Sequence, residues 1–214
     1  DVDKETGQVI GTTGKTPWMK WQRWQKESQT EEEIRGMDWS KSIAVIGGAA
    51  SENLCCLDFD TKNDPTGKII EQFDSLLEQV YPGLLERLPG QKTFTGGRHL
   101  FFRTPTPIKC RDLAMNENGR PMIETKAEGG YFVAYPSPGY SLIGNCSIAA
   151  APIIYEEELD AIISVSESLN RKIEEVHAKS EPKPKGTGLT PFDDFDAKHD
   201  HEWCFEFLQE YGFK

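Results

Sequence analysis

NLCCLDFD, residues 53–60, is the stretch whose reading decides the fold. It is an apolar run opened by Asn53 and closed by acid, and with SIAVIGG at 42–48 it predicts two buried strands, Asp58 and Asp60 ending the second. Residues two apart on a strand share a face, so both aspartates project from one side of a sheet while Leu57 and Phe59 point to the other. Two carboxylates so close repel unless a cation stands between them. Acids that only cap a helix or face water are an equally ordinary explanation of this spacing, and it stays open at this point.

Upstream, GKTPWMKWQRWQKESQTEEEI starts as a loop at Lys15-Thr16-Pro17 and turns helical near Thr30, where T-E-E-E resembles a capping box. Downstream, KIIEQFDSLLEQV carries Ile69, Ile70, Phe73, Leu76, Leu77 and Val80 at helical spacing, and Pro82 marks the end of that helix. TFTGGRHLFFR then reads as a strand entered through a glycine turn, and MIETK and GGYFVAYPS as two more strands joined by Glu128-Gly129-Gly130. This order predicts an α+β (α/β) fold with a central mixed or antiparallel sheet flanked by helices, plus an N-terminal αβ segment. A final helix is expected over about Tyr155 to His177. The domain is placed at 1–178, a Pro-, Lys- and Gly-rich linker at 179–192, and a short helical segment at 193–214.

The 214 residues, 37% hydrophobic and 10% aromatic, suit one sizeable core. No apolar run approaches a membrane span, and the acidic start is no signal peptide, which points to the cytoplasm. The chain begins without methionine and is expected to be a segment of a longer one. Cys55, Cys56, Cys110, Cys146 and Cys204 form no CxxC pair, so reduced thiols are expected, with neither disulfide nor zinc. A net charge of −11 argues against general phosphate affinity, but its distribution is uneven. From Arg87 to Lys126 stand eight basic residues against three acidic ones, a positive stretch around the acidic pair.

The TGGRH turn adds chemistry. Gly96 and Gly97 let backbone amides approach a phosphate, and Arg98 and His99 contribute charge and hydrogen bonds, with Thr95 beside them. His99, Phe101 and Arg103 alternate onto one face. Glu124, with Lys126 on the same face of its strand, is a third acid. Two aspartates and a third acid from another strand are what two-metal phosphoryl transfer uses, with Mg²⁺ or Mn²⁺ as the metal. A histidine satisfied in the structure, or an exposed acid paired with Lys126, would leave the same letters.

Together these segments resemble the bifunctional primase-polymerase (prim-pol) domain of the archaeo-eukaryotic primase superfamily. LDFD matches its acidic first motif, TGGRHLFFR its glycine turn and histidine, and IETKAEGGYFVAYPSPGY its third motif. Glu124 stands where Asp is commoner, and Tyr135 replaces a usual proline. KTPWMKW is similar to the family's opening segment, and GYSLIGN with IIYEEELD to its closing portion. The resemblance implies an RRM-like palm carrying the acidic triad and template-directed addition of nucleoside triphosphates to a primer on single-stranded DNA, with Asp58, Asp60, Glu124 and His99 catalytic. Thr95, Gly96, Gly97, Arg98, His99, Arg103 and Lys126 would meet the triphosphate. It further implies a phage or mobile-element replication protein, fused to or working with a replicative helicase. Cys110 alone could not hold the zinc that some relatives carry.

Two other classes remain. Asp60 with Glu124-Thr125-Lys126 also fits a metal-dependent nuclease, although TGGRH has no role in hydrolysis. A non-catalytic DNA-binding replication module is the other, and the intact acid triad argues against it. Trp18, Trp21 and Trp24 read as core packing before base stacking, while Lys15, Lys20 and Arg23 could meet template phosphates. Tyr131 or Phe132 is the aromatic whose placement would gate the sugar. His199 to His201 reads as surface helix.

Overall fold

In chain order the elements are α1 (Glu31–Arg35), β1 (Ile43–Ile46), β2 (Leu54–Phe59), α2 (Ile69–Val80), α3 (Leu84–Arg87), β3 (Gly90–Lys92), β4 (Arg98–Arg103), β5 (Arg111–Met115), β6 (Pro121–Lys126), β7 (Tyr131–Ala134), β8 (Ser141–Ile143) and α4 (Glu156–Ser168). The computed structural model describes residues 20–39, 42–144 and 147–173, all within one unit that ends at Ile173. Lys15, Trp18, Cys146, Cys204, the linker at 179–192 and the segment at 193–214 with His199 and His201 lie outside the described residues.

Six strands form one sheet in the order β5-β6-β2-β4-β3-β8, every neighbouring pair antiparallel. Alternation splits β2 between two cores. Cys55, Leu57 and Phe59 face the larger one, where Ile69, Phe73 and Leu77 of α2 and Ala161, Ile162 and Val165 of α4 close over the sheet. Each fully buried Phe or Leu there contributes about 1.5–3 kcal/mol. Leu54 and Cys56 face the opposite side and pack with Phe101, Phe132 and Ala134. Burial, with the charge of Asp58 behind it, pushes the Cys56 thiol well above its ordinary value, so it stays protonated and inert.

The second face is roofed by a two-stranded ribbon of β1 and β7, separate from the main sheet. Here the expectation of two buried strands needs correction. β1 is only partly buried, because it covers the second face of the main sheet instead of lying within that sheet. The N-terminal segment joins this roof: Trp21 packs edge-on against Tyr131 at 4.9 Å, and Trp24 is buried. Thr30 caps α1 through a reciprocal capping box with Glu33.

Two other features differ from expectation. Val80 is more than half exposed, because it is the last residue of α2 and lies past the apolar stripe. The final helix stops at Ser168, well short of His177. There the chain is captured by the β5 edge: Arg171 N–H donates to the Met115 carbonyl, and Met115 N–H donates to Asn170 Oδ1. The Arg171 guanidinium also reaches Asp64, whose carboxylate accepts from the Ile69 N–H that opens α2. Burial alone would raise the pKa of Asp64. The bonds from Thr66, Ile69 and Arg171 outweigh it and hold the group at about 2.

Candidate active site

Strand register builds the site. Asp58 on β2 stands directly opposite His99 on β4 and, on its other side, opposite Glu124 on β6. Gln91 on β3 continues the row beyond His99, and Asp112 on β5 continues it beyond Glu124. Five polar residues from five adjacent strands thus form one line across the second face, with neighbouring Cβ atoms about 5 Å apart. Asp60 follows Asp58 just past the strand end, where its N–H is fixed to the Met122 carbonyl at 2.9 Å.

Each acid already meets a cationic or donor group. His99 Nε2 lies 3.2 Å from Asp58 Oδ1, Lys62 Nζ lies 2.8 Å from Asp60 Oδ2, and Lys126 Nζ touches Glu124. Asn63 Nδ2 also donates to Asp60 Oδ2 at 3.3 Å. Asp60 Oδ1, in contrast, is buried and has no hydrogen-bond partner. A buried carboxylate oxygen left unmatched costs roughly 1–3 kcal/mol, which a ligand at that oxygen would recover. Burial raises the Glu124 pKa, and Asp58 and Asp112 add to the rise against the opposing pull of Lys126. Lys126 is shifted upward because the Glu124 bond outweighs the desolvation that would lower it. The donor set is all carboxylate oxygen, the kind hard divalent cations such as Mg²⁺ and Mn²⁺ prefer. Among the described residues no three His, Cys, Asp or Glu side chains are gathered into a ready metal cage.

The glycine turn lies over the end of β2. The Thr61 hydroxyl reaches the Thr95 carbonyl at 3.5 Å, so the turn borders the segment following Asp60. Thr95 is exposed and Gly96 takes a positive φ of 82°. A side chain at Gly97 would collide with the Phe59 carbonyl. Gly97 therefore owes its identity to packing against β2, whatever else its amide does.

Two of the expected triphosphate ligands are placed elsewhere. Arg98 points to the helix-covered face, where its guanidinium grips Asp74 of α2 and lies 4.7 Å over the Phe59 ring. Arg103 shares the face of His99 but is four residues further along β4, roughly 13 Å away. It is held by the Ser51 carbonyl at 2.7 Å. The local positive stretch is likewise drawn into the fold, for Arg87 pairs with Glu158 and Arg111 with Glu167. Arg23 contacts Glu33 and lies over Trp24, and Lys20 is exposed nearby.

Of the aromatic residues considered for the sugar, Phe132 is buried with its ring centroid 5.9 Å from that of His99, and Tyr131 is engaged by Trp21. The half-buried Tyr140, not singled out in the sequence, has its ring 6.1 Å from His99. Burial first, then the charge of Asp58, raises its phenol pKa. Among the described residues no helix is long and apolar enough to cross a membrane. A protein-family profile described as bifunctional DNA primase/polymerase, N-terminal, matches residues 8–153, a span that holds every strand and each of these acids. No curated protein is matched by the chain.

Proposed function

Because the chain belongs to the prim-pol family of bifunctional DNA primase/polymerases, we propose that this face carries out template-directed nucleotidyl transfer, joining a primer 3′-hydroxyl to an incoming nucleoside triphosphate with release of pyrophosphate. The observation that carries the reading is the cross-strand row His99–Asp58–Glu124, extended by Asp60 with its orphaned buried oxygen. Asp58, Asp60 and Glu124 would hold two divalent cations, Mg²⁺ or Mn²⁺, which when bound supply charge neutralisation for the triphosphate and a more acidic primer hydroxyl.

The chain's own residues act around that centre. His99 donates a hydrogen bond to a triphosphate oxygen from the middle of a rigid sheet. Lys126, at Glu124, is available to exchange its carboxylate partner for a phosphate oxygen. The turn amides at Thr95 and Gly97 border the same end of β2 and suit the outer phosphates, while the Gly96 N–H is already given to the Thr93 carbonyl at 3.0 Å. Arg98 and Arg103 are left out of this set, since one lies behind the sheet and the other far along it. Lys20 and Arg23, with Lys15 before them, are the proposed contacts to template phosphates. A phage or mobile-element setting with an associated helicase rests only on the family resemblance of the motifs. Stimulation of primer extension by an added replicative helicase would test the helicase part.

Purified protein with Mn²⁺ or Mg²⁺ is expected to extend a primed single-stranded template only when triphosphates are present. Asp58→Ala combined with Asp60→Ala should abolish extension while the unfolding transition is preserved. DNA degradation that needs no triphosphate and is lost in the same variant would replace the polymerase reading with the nuclease.

A further inference from the structure

Gln91 is wholly buried on β3, directly opposite His99, and the chemistry above makes no use of it. Three groups surround its carboxamide. Oε1 accepts from the Tyr135 N–H at 2.9 Å, and Nε2 donates to the Val133 carbonyl at 2.8 Å. Both of these are backbone groups of fixed polarity. Turning the amide over would set N–H against N–H and oxygen against oxygen, so its orientation is decided without reference to the histidine.

The third group is His99 Nδ1, 2.8 Å from Gln91 Nε2. With one amide proton used on Val133, the other points at the ring nitrogen. Nδ1 must then accept, and the neutral imidazole carries its proton on Nε2, which stands 3.2 Å from Asp58 Oδ1. The rings of Phe132 and Tyr140 stand against the imidazole, with centroids 5.9 and 6.1 Å from its own.

We infer that Gln91 is a positioning residue that fixes the tautomer and tilt of His99, presenting Nε2–H toward the acids as a ready donor for an oxygen of the incoming triphosphate. The inference rests on the proposal that His99 meets the triphosphate. Gln91 also ties the turn after β7 to the main sheet, so the side chain that orients the histidine anchors the ribbon's far end.

Proton–nitrogen NMR correlation of the imidazoles in the full 214-residue chain tests this directly, the His99 signals being identified by their loss in His99→Gln. Protonated Nε2 with bare Nδ1 is expected for the neutral ring; a proton on Nδ1 overturns the assignment. Gln91→Leu removes the donor at similar bulk, and Gln91→Glu turns it into an acceptor that draws the proton to Nδ1. Folded forms of either should show a KM for deoxynucleoside triphosphate raised about tenfold or more, with a smaller change in kcat, as the loss of a charge-assisted bond predicts. A folded variant with the wild-type KM overturns the inference, and if neither variant folds the wild-type tautomer alone decides. Wild-type protein that adds no nucleotide sinks the polymerase reading, while the tautomer result still judges Gln91.

Discussion

Gly90→Ala should injure the site from behind, without touching any candidate ligand. A Cβ built at Gly90 would lie 2.7 Å from the His99 carbonyl oxygen and 3.0 Å from Leu100 Cδ2. Ordinary van der Waals contact needs ~3.4 Å, so β3 and β4 must separate locally by roughly 0.7 Å. Neither strand can yield freely. Leu100 packs into the main core, and the Phe101 N–H is bonded to the Pro89 carbonyl at 2.8 Å. Overpacking of this kind costs about 1–3 kcal/mol. The shift also falls on the backbone that carries His99, whose contact with Asp58 is already 3.2 Å long. A misplacement of about 1 Å can cost 10²-fold in rate, so a loss of about tenfold in kcat/KM for nucleotide is expected. The control is Gly119→Ala, where nothing stands within 4 Å but φ is +71°. It should lose about 1 kcal/mol of stability to backbone strain and keep its activity. Denaturant unfolding and steady-state primer extension on both variants decide the matter. A Gly90→Ala protein with wild-type stability and kcat/KM would refute the reasoning.

Arg98→Ala should cost roughly 2 kcal/mol in urea unfolding, between the worth of an exposed pair and that of a buried one, because it strands Asp74. Its nucleotide KM should stay within about twofold of wild type, and a large rise would move Arg98 back to the ligand face. Asp64 is held at about 2 in the folded state against an ordinary 3.8, so its contribution is complete above pH 4 and disappears as the pH falls toward 2. The gap in unfolding free energy between wild type and Asp64→Asn should therefore be roughly 2 kcal/mol at pH 6 and close to zero near pH 2, and a gap that does not shrink removes the explanation. Chelation by EDTA is expected to stop extension. Adding Mn²⁺ at a hundredfold excess over its Kd should raise stability by about 2.7 kcal/mol in wild type, and by much less in Asp60→Ala.

The strands carrying Asp58, His99 and Glu124 and the long helix α2 were legible because alternation and helical spacing are properties of contiguous letters, whereas the register that sets the three side by side was not. β3, β5 and β8 were not. Gly90-Gln91-Lys92 is too short and too polar to read as a strand until its neighbours pair with it, and Arg111 and Asp112 spend their polarity on a sheet edge. Arg98 was grouped with His99 because the turn and strand were read as one phosphate loop, yet adjacent strand residues must face opposite ways. Gln91 carried no signal at all, since a buried glutamine gains meaning only from what its amide meets. The end of α4 was set by partners more than fifty residues away, Met115 and Asp64, which no local pattern contains.

The lateral row has an evolutionary corollary. Because its members occupy matched ladder positions, gaining or losing a single residue within β2 would exchange that strand's two faces, sending Asp58 beneath α2 and Leu57 into the polar row, and the same change in β4 or β6 would turn His99 or Glu124 away. Length change in a lineage carrying this domain should accordingly collect in the connections, such as 105–110 and 116–120, while the strands vary only by replacement. The polar line would behave as an inherited ruler, conserved in spacing before it is conserved in letters.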